Sequence, residues 1–132
     1  MIKKEKILFS YIANIIDDEK PHHIFIQTKL DISKLLKRIE KLNIKTLSIG
    51  PDTKNISTEN FDLFLILDDV EFSEADIGTV KNLISQKIVI FTDFINDKIT
   101  DETMLKLGLQ TELRDKTNKL KCYSYNLKTY NN

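Results

Sequence analysis

The sequence has one cysteine, three glycines and two prolines in 132 residues, and no excess of either charge. A lone Cys122 cannot close an internal disulfide, and no Cys or His residues recur at the spacing of a zinc site, so a reducing, cytoplasmic compartment is the natural reading and no metal is expected. Cys122 itself reads as buried filler. No stretch approaches the ~20 apolar residues that a bilayer-spanning helix needs. The opening "MIKKEKILFSYIANIIDDEK" could mimic a secretory leader, but Ser10, Tyr11 and Asn14 interrupt its apolar run, acids follow it, and no small-residue cleavage site appears. Without repeats, low-complexity tracts or a Pro/Gly-rich linker, residues 1–132 read as a single domain, a usual length for one. With 20 basic and 20 acidic residues the chain lacks the basic balance of a nucleic-acid binder, and no aromatic-plus-basic cluster offers a stacking platform.

The charge that is present is unevenly spread. Residues 1–51 hold ten bases and six acids (+4), 52–102 four and twelve (−8), and 103–132 six and two (+4). The acidic middle reads first as solvated loops and helix faces. Within residues 1–20, Ile7, Leu8, Tyr11, Ile12, Ile15 and Ile16 recur at the spacing of one helical face, which predicts an amphipathic helix docked on a core. Pro21 stops it, and "HHIFIQT" then predicts a short buried strand over 24–28. "LDISKLLKRIEKLN" places Leu30, Leu35, Leu36, Ile39 and Leu42 opposite Lys34, Lys37, Arg38 and Lys41, a second amphipathic helix.

A second strand, "IKTLSIG", ends at Gly50-Pro51, and the polar run "PDTKNISTEN" leads to "FDLFLILDD". Residues 63–67 are apolar throughout, as in a central strand covered on both faces. "SEAD" predicts a capping box between Ser73 and Asp76, opening a helix that turns Ile77, Val80, Leu83 and Ile84 inward and delivers the strand "KIVIFTDF". Two strand-helix-strand units in succession imply parallel strands with right-handed crossovers, hence an α/β class. "TDETMLKLG" predicts a short helix capped by Thr100 and stopped by Gly108. "LQTELRD" and "KLKCYSYNLKTY" around a polar turn predict a hairpin.

This order of elements resembles the class I S-adenosylmethionine-dependent methyltransferases over roughly residues 22–130. "FDLFLILDDVEF" resembles that family's fourth-strand segment, which ends in an acid with a Glu shortly after. "MLKLGLQTELRD" resembles its late helix, Leu-Gly turn and penultimate strand, and the tail "YSYNLKTY" resembles a group of small bacterial methyltransferase-like proteins. The resemblance implies a Rossmann-like open sheet, mainly parallel, with a C-terminal antiparallel hairpin and helices on both faces. Two departures stand against it. Active members carry a glycine-rich turn after the first strand, because only glycine lets the backbone approach the cofactor so closely; here that turn reads "IQTKLDISK". "PDTKNISTEN" is also too short for the family's next helix and strand, so the sheet is expected to be shortened at one edge.

The candidate site residues follow from these motifs. Asp68, Asp69 and Glu71 stand where a central strand ends, the edge at which ligands gather in open parallel sheets. They read as the border of a substrate pocket with catalytic roles, as oxygen ligands for Mg²⁺, or as acids that solvate a loop and favour the positive end of the next helix by about 0.3–1 kcal/mol. The resemblance implies that an acid after the second strand holds the cofactor's ribose, and Asp52 is near that position; by itself it reads as a turn former after Pro51. Thr28 begins the altered cofactor turn. His22 and His23 read as loop residues, and the inward members of Tyr123, Tyr125 and Tyr130 as core. The expectation is a non-catalytic methyltransferase-like domain that binds no cofactor and acts through a protein partner or self-association, without nucleic acid or membrane. The alternative is an S-adenosylmethionine or nucleotide-binding methyltransferase with an atypical loop. A strand edge left open by the shortened sheet invites a homodimer, with Cys122 and the Tyr-bearing last strand expected near the interface.

Overall fold

The computed structural model describes residues 3–53, 61–70, 73–83, 85–93 and 101–126. Glu71, Ile84, Thr100, Leu127 and Tyr130 lie outside the described residues, as does the side chain of Leu83. Helix α1 (Lys3–Glu19) leads to strand β1 (His23–Gln27), helix α2 (Ser33–Ile39) and strand β2 (Thr46–Gly50). Strand β3 (Phe61–Ile66), helix α3 (Glu74–Leu83) and strand β4 (Ser85–Thr92) follow, then helix α4 (Asp101–Lys106) and strands β5 (Gln110–Asp115) and β6 (Leu120–Asn126). The six strands form one sheet in the order β2-β1-β3-β4-β6-β5. The pairs β1–β2, β1–β3 and β3–β4 are parallel, whereas β4–β6 and β5–β6 are antiparallel. The mainly parallel sheet with a C-terminal antiparallel hairpin is thus present, and among the described residues no strand lies beyond β2.

Alternation along the inner strands sends side chains to two cores. On one face Leu8, Phe9, Ile12, Ala13 and Ile16 of α1 and Leu35 and Ile39 of α2 join Ile24, Ile26, Leu63, Leu65, Val89, Phe91, Leu120 and Cys122 of the strands. On the other, Ile77 and Val80 of α3 and Met104 of α4 join Phe25, Phe64, Ile66, Ile88, Ile90, Tyr123 and Tyr125. Helices therefore cover both faces. Phe25 stacks on Phe64 with ring centroids 4.8 Å apart and meets Phe61 edge-on at 5.6 Å. The buried stripe of α1 is rotated toward Phe9 and Ala13, leaving Ile7, Tyr11 and Ile15 at its margin. Arg38 Nη1 donates to the Ser10 hydroxyl (3.0 Å), tying α2 to α1.

Local chemistry explains several boundaries. The capping box forms: the Ser73 N–H donates to Asp76 (2.8 Å) and the Asp76 N–H to the Ser73 hydroxyl (3.2 Å). Gly108 ends the α4 turn at φ 85°, a left-handed value that suits glycine. Helix α2 is shorter than the apolar spacing over 30–43 suggests, because the Asp31 carboxylate accepts the Ser33 N–H (3.0 Å) and holds the preceding residues in a turn. Strand β6 is buried on both faces, since it is paired on both sides and lies beneath helices on each. Cys122 therefore belongs to the core and not to an open edge, which corrects the expected placement of that strand at an interface. Among the described residues no helix is long and apolar enough to cross a membrane.

Candidate functional site

Parallel strands β1, β2 and β3 end together, and their carboxyl ends carry Thr28, Asp52, Asp68 and Asp69 to one edge of the sheet. This is the edge at which open α/β sheets place their ligands. The strand ends are fastened to one another: the Thr28 N–H donates to the Gly50 carbonyl (2.9 Å), the Leu67 N–H to the Gln27 carbonyl (3.1 Å), and Gln27 Nε2 to the Pro51 carbonyl (3.2 Å).

Asp69 reaches across to the turn that follows β1. One carboxylate oxygen accepts the Thr28 hydroxyl proton (2.6 Å) and the other the Lys29 N–H (2.6 Å). The Thr28 oxygen in turn accepts the Leu30 N–H (3.0 Å), and Asp31 accepts that of Ser33. The amides of residues 29, 30 and 33 are thus all satisfied by side chains of the chain itself. Asp68 points elsewhere, pairing with Lys4 Nζ at 2.7 Å, so the first turn of α1 sits over the end of β3. The Asp68 side chain is only 15% exposed. Asp52 lies exposed beyond β2. Of the sequence candidates, the structure brings Thr28 and Asp69 into contact, gives Asp68 to Lys4, and leaves Asp52 at the rim.

Gly50 is not required by sterics: a Cβ there would meet Phe25 Cζ at 3.5 Å, ordinary contact. At the far edge of the sheet, the N–H groups of His22 and His23 both donate to Asp62 (2.7 and 3.1 Å), so this pair and the start of β3 hold each other in place. A cavity of about 240 Å³ lies there, lined by Glu19, Lys20, Pro21, Asp62, Leu63, Lys87 and Asn126. It opens at the amino ends of β3 and β4, away from the edge that gathers ligands in this architecture, and Lys87 closes on Glu19 across it.

Sequence reasoning missed a cluster on the C-terminal hairpin. Asp101 accepts the Tyr123 hydroxyl proton (2.6 Å) and pairs with Arg114, while Lys121 Nζ lies 5.7 Å from the Tyr123 ring centroid. The Tyr123 hydrogen bond, aided by the nearby Arg114 and Lys121 charges, holds the Asp101 carboxyl below its ordinary range. Burial, then the Asp101 hydrogen bond, pushes the Tyr123 phenol up. These partners come from different elements, so no local spacing signals them. Burial likewise pushes the Cys122 thiol up to about 12, with Glu112 adding to the shift, which leaves it inert as a nucleophile at neutral pH. Among the described residues no group of three His, Cys, Asp or Glu could hold a metal ion.

Strand order, the antiparallel sixth strand and the helix layers define a class I methyltransferase-like fold, lacking an edge strand next to β2 among the described residues. The methyltransferase domain of the bacterial protein CtHen1-CN is similar to this chain with a TM-score of 0.55 and 7% identity, over 95% of this chain and 100% of that one. At that identity the likeness is one of fold. Haemonchus contortus phospholethanolamine N-methyltransferase 2, solved with phosphomonomethylethanolamine and S-adenosylhomocysteine, aligns with a TM-score of 0.46 and 18% identity over 80% of this chain and 27% of that one. No protein-family model and no curated protein matches the sequence.

Proposed function

We propose that this chain is a methyltransferase-like domain that transfers no methyl group and acts through protein contacts. The observation that carries the reading is the Asp69 carboxylate on the Thr28 hydroxyl and the Lys29 amide. In the family that the sequence resembles, a glycine-rich turn leaves room there for the cofactor to lie against the main chain. Here the turn is made of Thr28, Lys29, Leu30 and Asp31, its Lys29 and Leu30 amides are taken by side chains, and the Asp69 carboxylate lies against it. The ion pair of Lys4 with Asp68 adds a helix over the same edge. These residues do not fit an adenosyl group bound in the family's manner.

The test is titration of the purified protein with S-adenosylmethionine, followed by calorimetry and by thermal unfolding. A ligand at 100 times its dissociation constant stabilises by about 2.7 kcal/mol, a readily measured upward shift in Tm. The expected result is no heat and no shift at millimolar ligand. Heat that disappears in Asp52→Ala would overturn the reading and establish instead a cofactor-binding domain with an atypical turn.

A further inference from the structure

The two edges of the sheet are built differently. Edge strand β5 carries Glu112, Arg114 and Asp115 and is broken by a bulge between Thr111 and Leu113, devices that discourage pairing with another chain. Edge strand β2 reads Thr-Leu-Ser-Ile-Gly, with no charge, no proline and a regular register against β1. In a parallel ladder alternate residues face the neighbour. The Thr46 N–H donates to the His22 carbonyl and the Gly50 carbonyl accepts from Thr28, so residues 46, 48 and 50 face β1. Leu47 and Ile49 therefore turn their N–H and C=O groups away from the sheet, and no described strand pairs with them. Ile49 is also 44% exposed, one of two large apolar side chains so exposed among the described residues.

We propose that β2 is the pairing edge of a homodimer, in which the β2 strands of two copies run antiparallel across a twofold axis at Ser48 and join the two sheets into one. This rests on the reading that the domain works through protein contacts, and it names the partner as a second copy of the chain. Self-complementarity is the argument. About Ser48, Leu47 of each copy stands opposite Ile49 of the other, and each such pair exchanges two main-chain hydrogen bonds. The same register sets Leu47 and Ile49 side by side on the face of the α1–α2 core, where Leu47 already packs, and covers the exposed Ile49. On the opposite face it sets Ser48 against Ser48 and Thr46 against Gly50, small groups that do not clash. At each end Lys45 of one copy lies beside Pro51 and Asp52 of the other, opposite charges at the rim, and Pro51, lacking an N–H, ends the ladder.

Sedimentation velocity over a concentration series, with hydrogen exchange on the same samples, tests this. The expected mass rises with concentration toward twice the 15.4 kDa of the monomer. The Leu47 and Ile49 amides should slow in exchange at least tenfold as it does, while those of Ser48 and Gly50, turned to β1, should not change. Ile49→Pro removes an outward N–H without touching the β1–β2 ladder and should leave a monomer. Ile49→Lys, which keeps the backbone intact, should weaken dimerisation at least tenfold and guards against a misfolded proline variant. A monomer at all concentrations overturns the proposal, whether the two amides exchange fast or are protected by another part of the chain. A dimer unaffected by both variants overturns it too, by placing the interface elsewhere. Titration of the dimer with S-adenosylmethionine separates the two claims: binding there would refute the non-catalytic reading while leaving the interface standing.

Discussion

Asp69 joins two parts of the chain 41 residues apart, and its two hydrogen bonds are to the Thr28 hydroxyl and to the Lys29 backbone amide. Hydrogen bonds to a charged group contribute about 1.5–3 kcal/mol net, and loss of one partner leaves the other unsatisfied. Asp69→Ala is therefore expected to destabilise the fold by about 1–3 kcal/mol in denaturant titration, without any change in ligand binding. A variant as stable as the parent would show that the turn after β1 stands without it. Asp101 gives a pH signature. Its folded-state pKa lies below the ordinary 3.8, so its ionised form contributes stability that is complete above that value and lost as pH falls through the folded value. In Asp101→Asn the stability curve should flatten below about pH 4 and keep its slope near neutrality, read by thermal unfolding across the range. At this scale the sequence was half legible. Acids at the end of a buried strand are visible in "LILDD", but which of them meets Thr28 and which meets Lys4 depends on strand order, which residue types do not encode.

Helix and strand limits were legible where a side chain bonds its own neighbourhood. The Ser73–Asp76 box is four residues long, and Gly108 acts on the turn it terminates, so both were readable without the fold. Ser73→Ala removes the hydroxyl that receives the Asp76 amide and should cost about 0.5–2 kcal/mol, measured as a lowered denaturation midpoint with an unchanged slope. Apolar spacing overreached at α2, where leucines at 30 and 42 continue the stripe but Asp31 diverts the chain into a turn before the helix starts. It also misplaced the centre of the α1 stripe. Phe9 and Ala13 are buried because α1 meets α2 as well as the sheet, and a hydrophobic period reports one contact face, not two.

Across the whole molecule, the parallel order of the first four strands was readable from strand-helix alternation, and the antiparallel sixth strand from the polar turn before it. The insertion of β6 between β4 and β5 was not read from the sequence, because the pattern of a hairpin does not say which of its two strands pairs with the rest of the sheet. That insertion is what buries Cys122 and Tyr123 on opposite faces. The core on the α1–α2 side gathers residues from Leu8 to Cys122, so a void made anywhere in it should be felt by all. Ile12 is fully buried at the centre of the α1 stripe. Ile12→Ala is expected to cost about 2–5 kcal/mol while unfolding remains a single transition, with fluorescence and circular dichroism midpoints coinciding. Separate midpoints would mean that α1 docks and releases independently.

Because Leu8, Ile12 and Ile16 share their core with Leu120 and Cys122, the ribosome delivers the first helix long before the last strand that completes its cover. During synthesis that helix must wait with its greasy side unsheltered, and the nascent chain should remain protease-sensitive until β6 has left the exit tunnel.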